Sequence, residues 1–214
     1  MRVSKSIQTV CFLLVFGVTC LNSSAYAEPS ETLSEFLEKI QQAAEDVQSY
    51  QSDFVQEKHL AMFKQPVLFS GSLAVARPDR LRWEFISPVS SALILNKNSG
   101  IRCSDGAEPV RFELDSDPVM KIVAKQLWQW LGGDYKALAK QYTLSLVEAN
   151  TLQIVPQTKE GPIDFIRIRF DEELQPQEVI ISEAGGDFTR IIFSAGKKNK
   201  ELSAALFEQC EIDE

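Results

Sequence analysis

Residues with catalytic potential are few in this sequence. His59 is the single histidine among 214 residues, and the chain has no Gly-x-Ser-x-Gly elbow, phosphate-binding loop or dinucleotide-binding fingerprint. A catalytic triad would need His59 beside a nucleophile and an acid, and no local motif supplies them. The acidic runs around Asp115 and Asp171 are typical of solvated turns. We therefore expect a protein that is not an enzyme and that binds neither a metal nor a cofactor.

Arg77 is a charged residue in an otherwise apolar pattern. In the segment 67–77 large and small residues alternate, and Arg77 is in phase with Leu73 and Val75. A guanidinium on an apolar face must find hydrogen-bond acceptors. Two explanations stay open. One is exposure at the end of a strand, since Pro78 follows directly, and the other is a polar contact at the rim of an apolar cavity.

Apolar residues at alternate positions form the remaining candidate site. They are either ordinary core or the lining of a ligand cavity, and their pattern alone does not separate these roles. The candidates are Phe54, Phe69, Leu73, Val75, Leu81, Trp83 and Phe85. The last three alternate with Arg82 and Glu84, which predicts a half-buried strand with its charged residues on the other face.

The elements that would position these residues follow from periodicity. Thr32 and Glu35 have capping-box spacing, and apolar residues then recur at helical spacing from Leu33 to Val47. After Tyr50 the period changes to two, which places Phe54, Gln56 and Lys58 on one face of a strand. A helical insertion is predicted at 117–131 and a short helix at 135–140, and strands are predicted at 67–77, 81–85, 92–95, 110–114, 142–148, 152–155, 163–170, 178–182 and 188–193. This order favours one antiparallel sheet, curved into an open or closed barrel.

The first 27 residues have the pattern of an export signal. Two basic residues precede an apolar run at 10–18, and Ala25-Tyr26-Ala27 is a small-x-small cleavage site. We expect cleavage after Ala27, one domain over 28–214, and a periplasmic protein. The alternatives are an uncleaved anchor, for which the apolar run is short, and lipidation at Cys20, which lacks a typical lipobox.

The net charge limits the partners that we expect, and the cysteines suggest a disulfide. The full chain has a formal net charge of −8, and removal of the basic signal makes it more negative. Nucleic acid is therefore not an expected partner. Cys103 and Cys210 remain after cleavage, and we expect them to pair in an oxidising compartment; two separate thiols are the alternative.

Three segments resemble the periplasmic outer-membrane lipoprotein carriers, the LolA family. The segments are Ser52-Asp53-Phe54-Val55-Gln56-Glu57-Lys58, Phe69-Ser70-Gly71-Ser72-Leu73, and Arg77-Pro78-Asp79-Arg80-Leu81-Arg82-Trp83-Glu84. The resemblance implies a mainly β fold with helices, a half-open, incomplete antiparallel β-barrel covered by helices. It also implies a monomer whose apolar interior holds acyl chains and shuttles them from an inner-membrane exporter to an outer-membrane acceptor. Arg77 matches the family arginine that hydrogen-bonds to the helical lid.

Two departures from the family pattern leave other functions open. The segment after Leu95 lacks the Asp-Gly and aromatic residues that the family often has there, and the helical insertion is long. A glycolipid or an acylated pigment, handled by a different exporter, is therefore an alternative cargo. An envelope β domain that binds a protein partner and carries no lipid is the alternative from another class.

Overall fold

The computed structural model describes residues 31–117, 120, 121, 124, 135–158 and 161–212. The predicted signal peptide and most of the predicted helical insertion lie outside these residues. A helix, α1 (Leu33–Glu45), precedes the strands, a short helix, α2 (Tyr135–Leu138), lies between the sixth and seventh strands, and a 3-10 helix (Ala204–Phe207) follows the last. The strands of the described part are β1 (Ser49–His59), β2 (Val67–Ala76), β3 (Arg80–Ser87), β4 (Ser91–Asn96), β5 (Ser99–Ser104), β6 (Val110–Glu113), β7 (Tyr142–Glu148), β8 (Thr151–Pro156), β9 (Ile163–Phe170), β10 (Pro176–Glu183) and β11 (Phe188–Lys198).

Helix α1 begins where the capping-box spacing predicts it. The Thr32 hydroxyl accepts a hydrogen bond from the Glu35 amide at 3.3 Å, and the Glu35 carboxylate accepts one from the Thr32 amide at 2.9 Å. Two backbone donors that lack helical partners are satisfied in this way. The buried face of α1 carries Phe36 and Ile40, so the helix is held to the sheet by apolar packing.

The strands form a single open antiparallel sheet, as predicted. Their order is β6-β5-β4-β3-β2-β1-β11-β10-β9-β8-β7. The pairing of β1 with β11 joins two arms, one of β1–β6 and one of β7–β11. Trp83 on β3 and Ile168 on β9 line the same cavity, although β3 and β9 are five positions apart in the order. A flat sheet would separate them by about 24 Å at the usual strand spacing, so the sheet must curl until the arms face each other.

The inner face of the sheet, on which α1 and α2 pack, carries most of the core. Beneath the two helices lie Leu152, Ile154, Ile166, Ile168 and Phe170 of β8 and β9. A second inner cluster lies on the other arm and on β11, and includes Phe54, Leu73, Leu81, Leu95, Ile191 and Phe193. The strand alternation predicted from the sequence therefore places Phe54, Leu73 and Leu81 on the apolar face on which they are found.

The outer face of β2–β5 is covered by the C-terminal segment, residues 200–212. Phe207 of this segment is fully buried in a third cluster, with Ala74, Ala76, Ala92, Ile94 and Ile101. Arg82 and Glu84 are each only 3% exposed, and the Arg82 Nε lies 2.6 Å from Glu84 Oε2. Arg82 also donates to the carbonyls of Leu206, Gln209 and Glu211. The prediction that β3 is half-buried was therefore wrong, because the C-terminal segment covers its second face.

β5 and β11 differ most from the prediction. β5 was not predicted, because its outward residues are Ile101 and Cys103, whose burial depends on the C-terminal segment. β11 continues to Lys198, five residues beyond its predicted end. Its last residues pair with the start of β1, where Tyr50 is opposite Lys198.

Candidate functional site

A cavity of about 260 Å³ lies between α1 and the inner face of the sheet; we call it the lid cavity. Helix α1 contributes Ile40 and Ala44, and α2 contributes Tyr135. The sheet contributes apolar residues from both arms, namely Leu73, Val75, Phe170, Leu174, Pro176 and Phe193. Among the described lining residues Arg77 is the only charged one. The wall is therefore suited to an apolar guest, with one cation at its edge.

A second cavity of about 260 Å³ lies further along the inner face; we call it the sheet cavity. It shares Pro176 and Phe193 with the lid cavity, so the two are neighbours. Its walls come from opposite arms: Trp83, Phe85 and Leu93 on one side, and Ile168, Val179, Ile181 and Ile191 on the other. Gln56 is the only polar residue among its described lining. The inner face therefore holds two adjacent cavities, each with a mostly apolar lining.

Arg77 connects the sheet to the end of α1. Its Nε donates to the Val47 carbonyl at 2.8 Å, and its Nη2 donates to the Ala44 carbonyl at 2.9 Å. The last carbonyls of a helix lack intrahelical partners and carry a partial negative charge. The last turn of α1 has no basic residue of its own. The guanidinium supplied by the chain directly after β2 therefore satisfies the end of the helix that covers the lid cavity.

The predicted apolar site residues all lie on the inner face, but they do not all line the same cavity. Leu73 and Val75 line the lid cavity, while Trp83 and Phe85 line the sheet cavity. Phe54 and Leu81 are core residues that line neither cavity. Phe69, also absent from both linings, places its ring 5.6 Å from that of Phe85, centroid to centroid.

An aromatic cluster supports the wall between the cavities. The ring centroid of Phe54 lies 4.8 Å from that of Trp83, 5.5 Å from that of Phe85 and 6.5 Å from that of Phe193. The Phe54 ring passes over Gly71, where an added Cβ would lie 2.7 Å from Phe54 Cζ and 1.9 Å from the Glu84 carbonyl oxygen. Any side chain at position 71 would therefore displace the ring that orders this wall.

Sequence reasoning missed most of the cavity lining. Many of the missed residues lie on α1 and on the β7–β11 arm, among them Ile40, Ala44, Phe170, Ile168, Val179, Ile181, Ile191 and Phe193. Their alternation is visible in the sequence and places them on an apolar face. Nothing in that alternation shows which opposite strands they will meet, because this depends on how far the sheet curls.

The two phenols of the lid cavity are uncharged at ordinary pH. Burial raises the pKa of Tyr135 far above its usual value. Burial also raises the pKa of Tyr50, more than its hydrogen bond with Ser52 lowers it. Among the described lining residues Arg77 is thus the one charged group, and this charge strengthens its hydrogen bonds to the carbonyls of Ala44 and Val47.

Cys103 and Cys210 are joined in a disulfide between positions 107 residues apart. Cys103 lies on β5 within the outer-face cluster, and Cys210 belongs to the C-terminal segment. The bond therefore secures the outer cover and touches neither cavity.

Comparison with known proteins gives consistent matches. The family model described as outer membrane lipoprotein carrier protein LolA matches residues 45–210. The outer-membrane lipoprotein carrier protein of Nitrosomonas europaea is 22% identical over 211 residues, with 92% of each chain covered. The protein of the same description from Coxiella burnetii is 25% identical over 197 residues, covering 90% of this chain and 85% of the relative.

The fold also matches a solved structure. The Pseudomonas aeruginosa MucA/MucB complex superposes with a TM-score of 0.51 at 16% identity, covering 84% of this chain and 62% of that chain. Within the described residues, no helix has both the length and the apolar character needed to cross a bilayer. Because the family model spans residues 45–210, which include Arg77, the whole sheet cavity and the part of the lid cavity that the sheet contributes, this chain belongs to the LolA family of outer-membrane lipoprotein carrier proteins.

Proposed function

We propose that this protein is a periplasmic carrier that holds the acyl chains of lipoproteins or lipids and shuttles them from the inner to the outer membrane. Its partners are an acylated cargo, an inner-membrane exporter complex and an outer-membrane acceptor. The observation that carries this proposal is the position of Arg77, which joins the end of α1 to the sheet at the edge of an apolar cavity. We call α1 the lid and Arg77 its latch.

The energetics of the lid suit reversible binding. Burial of an acyl chain contributes about 0.8 kcal/mol per CH₂, so a long chain would bind too tightly for release if nothing opposed it. Entry of a chain between α1 and the sheet must break the hydrogen bonds from Arg77 to Val47 and Ala44. Their re-formation in the empty protein favours the closed state and therefore release.

The cargo class is broader than lipoproteins alone. The cavity lining consists mostly of hydrocarbon and aromatic side chains, which contact a chain and not a particular head group. The acyl chain of a glycolipid or of an acylated pigment would fit the same apolar lining. Such a molecule, delivered by a different exporter, is our alternative cargo.

A protein partner is the second candidate function. The MucB fold, solved as a complex with MucA, resembles this one. In this chain the turn between β1 and β2 exposes Met62 (81%) and Phe63 (57%), which are large apolar residues suited to a protein contact. A domain that binds partners in this way would need no lipid in its interior.

The substitution Arg77→Leu tests the carrier proposal. It retains side-chain bulk and removes the donors to the carbonyls of Ala44 and Val47. We expect several-fold more lipid per protein after purification from the periplasm, and slower transfer from loaded protein to acceptor membranes. Arg77→Lys should restore the wild-type behaviour only in part, because one ammonium does not reproduce the planar fork.

A matched control is Arg167→Leu. Arg167 lies on the outer face of β9, where its Nε donates to Gln153 at 2.7 Å, so its loss should leave lipid content and transfer unchanged. Circular dichroism checks that each variant is folded, and mass spectrometry identifies the lipid. Equal lipid content and equal transfer in wild type and Arg77→Leu would contradict the carrier proposal and favour the protein-partner function.

A further inference from the structure

Gln56 is a polar side chain in the wall of an otherwise apolar cavity. On β1 it is opposite Phe69 of β2 and Ile191 of β11, and the rest of the described sheet-cavity lining is hydrocarbon or aromatic. Gln56 is half-buried, and among the described residues no side chain or backbone group hydrogen-bonds to its amide. In the empty protein water can reach this amide, but a guest that fills the cavity displaces that water, and a buried amide without a partner is unfavourable. A hydrocarbon chain offers no partner, so the guest must supply a polar atom.

The inner face changes from apolar to polar along three adjacent strands. In the same direction on each strand, the inward residues run Phe54, Gln56, Lys58 on β1; Phe193, Ile191, Thr189 on β11; and Val179, Ile181, Glu183 on β10. Val179 is opposite Ile191, so Glu183 lies one inward position beyond the level of Thr189 and Lys58. At the polar end Lys58 donates a hydrogen bond to Glu183, and this pair is partly exposed. Gln56 thus lies at the boundary between a hydrocarbon wall and a charged, partly solvated end.

This boundary matches the chemistry of an acylated guest. The chain itself is apolar, the ester or amide that begins it carries one carbonyl acceptor, and the head group beyond is polar. We propose that Gln56 donates a hydrogen bond to the carbonyl oxygen of the ester or amide that links a bound acyl chain to its head group. The chain then runs from Gln56 toward the lid cavity, and the head group lies at the Lys58–Glu183 end. This inference rests on the carrier function proposed above.

The test compares two guests that differ in the carbonyl. Dioctanoylglycerol has ester-linked chains, and its dioctyl diether analogue has the same chain length and no carbonyl. Each is titrated against wild type and Gln56→Met by displacement of a fluorescent fatty acid. Methionine is close to glutamine in length and fits an apolar wall. Because the ether is also the more apolar guest, the measured quantity is the ester-to-ether affinity ratio in each protein.

We expect the ester-to-ether ratio to fall about three- to tenfold in Gln56→Met, the change that one neutral hydrogen bond produces. The matched control is Gln153→Met on the outer face of β8, where Gln153 is opposite Arg167; this variant should keep the wild-type ratio. A ratio unchanged in a Gln56→Met protein that binds both guests would overturn this inference and leave the carrier function standing. Failure of wild type to bind either guest would contradict the carrier function, and this inference with it.

Discussion

Each face of the sheet has a covering segment that an arginine contacts, but the two covers differ in construction. On the inner face, Arg77 donates to the carbonyls of Val47 and Ala44 beside a cavity of about 260 Å³. On the outer face, Arg82 is 3% exposed, forms an ion pair with Glu84 and donates to carbonyls of the C-terminal segment.

The difference between these covers indicates which of them can move. The outer cover lies on a packed cluster, is tied by the Cys103–Cys210 disulfide, and receives a further hydrogen bond from Asn96 to the Phe207 carbonyl at 2.6 Å. The inner cover lies partly over empty space, so less packing is lost when it separates. We expect the outer cover to be a permanent part of the fold and the inner cover to open.

The largest expected effect is that of Arg82→Met on stability. The substitution leaves the buried Glu84 carboxylate without the Arg82 guanidinium, and removal of one partner of a buried ion pair costs about 3–5 kcal/mol. Urea unfolding followed by circular dichroism measures this loss. The double variant Arg82→Met with Glu84→Met should recover a large part of it, since no buried charge then remains. A loss below about 1 kcal/mol in the single variant would mean that the pair is solvated.

Removal of the disulfide should have the next largest effect. We expect the variant with both Cys103→Ser and Cys210→Ser to lose about 2–4 kcal/mol of unfolding free energy, because the bond closes a loop spanning 107 positions. Lipid content should stay at the wild-type level, because neither cavity is touched. Unfolding of the wild type with and without reductant gives an independent value. Lipid content that changed with the disulfide would contradict the separation of the two covers.

Arg77→Leu should cost less stability than either change, about 1–2 kcal/mol, because its hydrogen bonds are only partly buried. Its effect should be local. Amide hydrogen exchange in α1 should accelerate, while exchange in the C-terminal segment stays at the wild-type rate. In Arg82→Met, exchange should accelerate in the C-terminal segment and stay at the wild-type rate in α1. Equal acceleration of both segments in Arg77→Leu would show that α1 opens only when the whole domain unfolds.

The smallest effect is expected on the outer face of β9–β11, where the side chains of Arg169 and Arg190 are partly exposed. Burial raises the pKa of the Glu178 carboxyl, but hydrogen bonds from Arg190 at 2.5 Å and Arg169 at 3.0 Å outweigh it, so the pKa lies below its ordinary value. A lowered pKa in the folded state adds stability at neutral pH that is lost as the pH falls below the ordinary value of 4.5.

We therefore expect the unfolding free energy of wild type to fall between about pH 5 and pH 3, and Glu178→Gln to lose a part of this dependence worth about 1 kcal/mol or less. The partly exposed arginines limit the effect through solvent screening. Denaturant unfolding at several pH values measures it. An identical pH dependence in wild type and Glu178→Gln would contradict the assignment.

Local sequence patterns were enough to predict most of the helices and strands, and the side-chain contacts that cap α1. The capping box at Thr32 and Glu35 predicts the start of α1, since both partners lie within one turn. Strand alternation predicts the inward face of Phe54, Leu73 and Trp83, because side chains alternate in any strand. The inward phase of Arg77 also follows from alternation, and the resemblance to the LolA family, not the pattern itself, gave its expected partner.

Only the tertiary structure decided what covers each face. Arg82 and Glu84 read as solvent-exposed because their burial comes from residues 200–212, more than a hundred positions away. In the sequence, Gln56 is one more residue in the inward phase of β1. Its apolar surroundings arise only when the curled sheet brings β3 and β9 to the same cavity. The sequence by itself determined which residues form strands and which way they point, because those preferences are local. The curvature of the sheet and the covering of its two faces depend on contacts between segments far apart in the sequence, so they exist only in the folded chain.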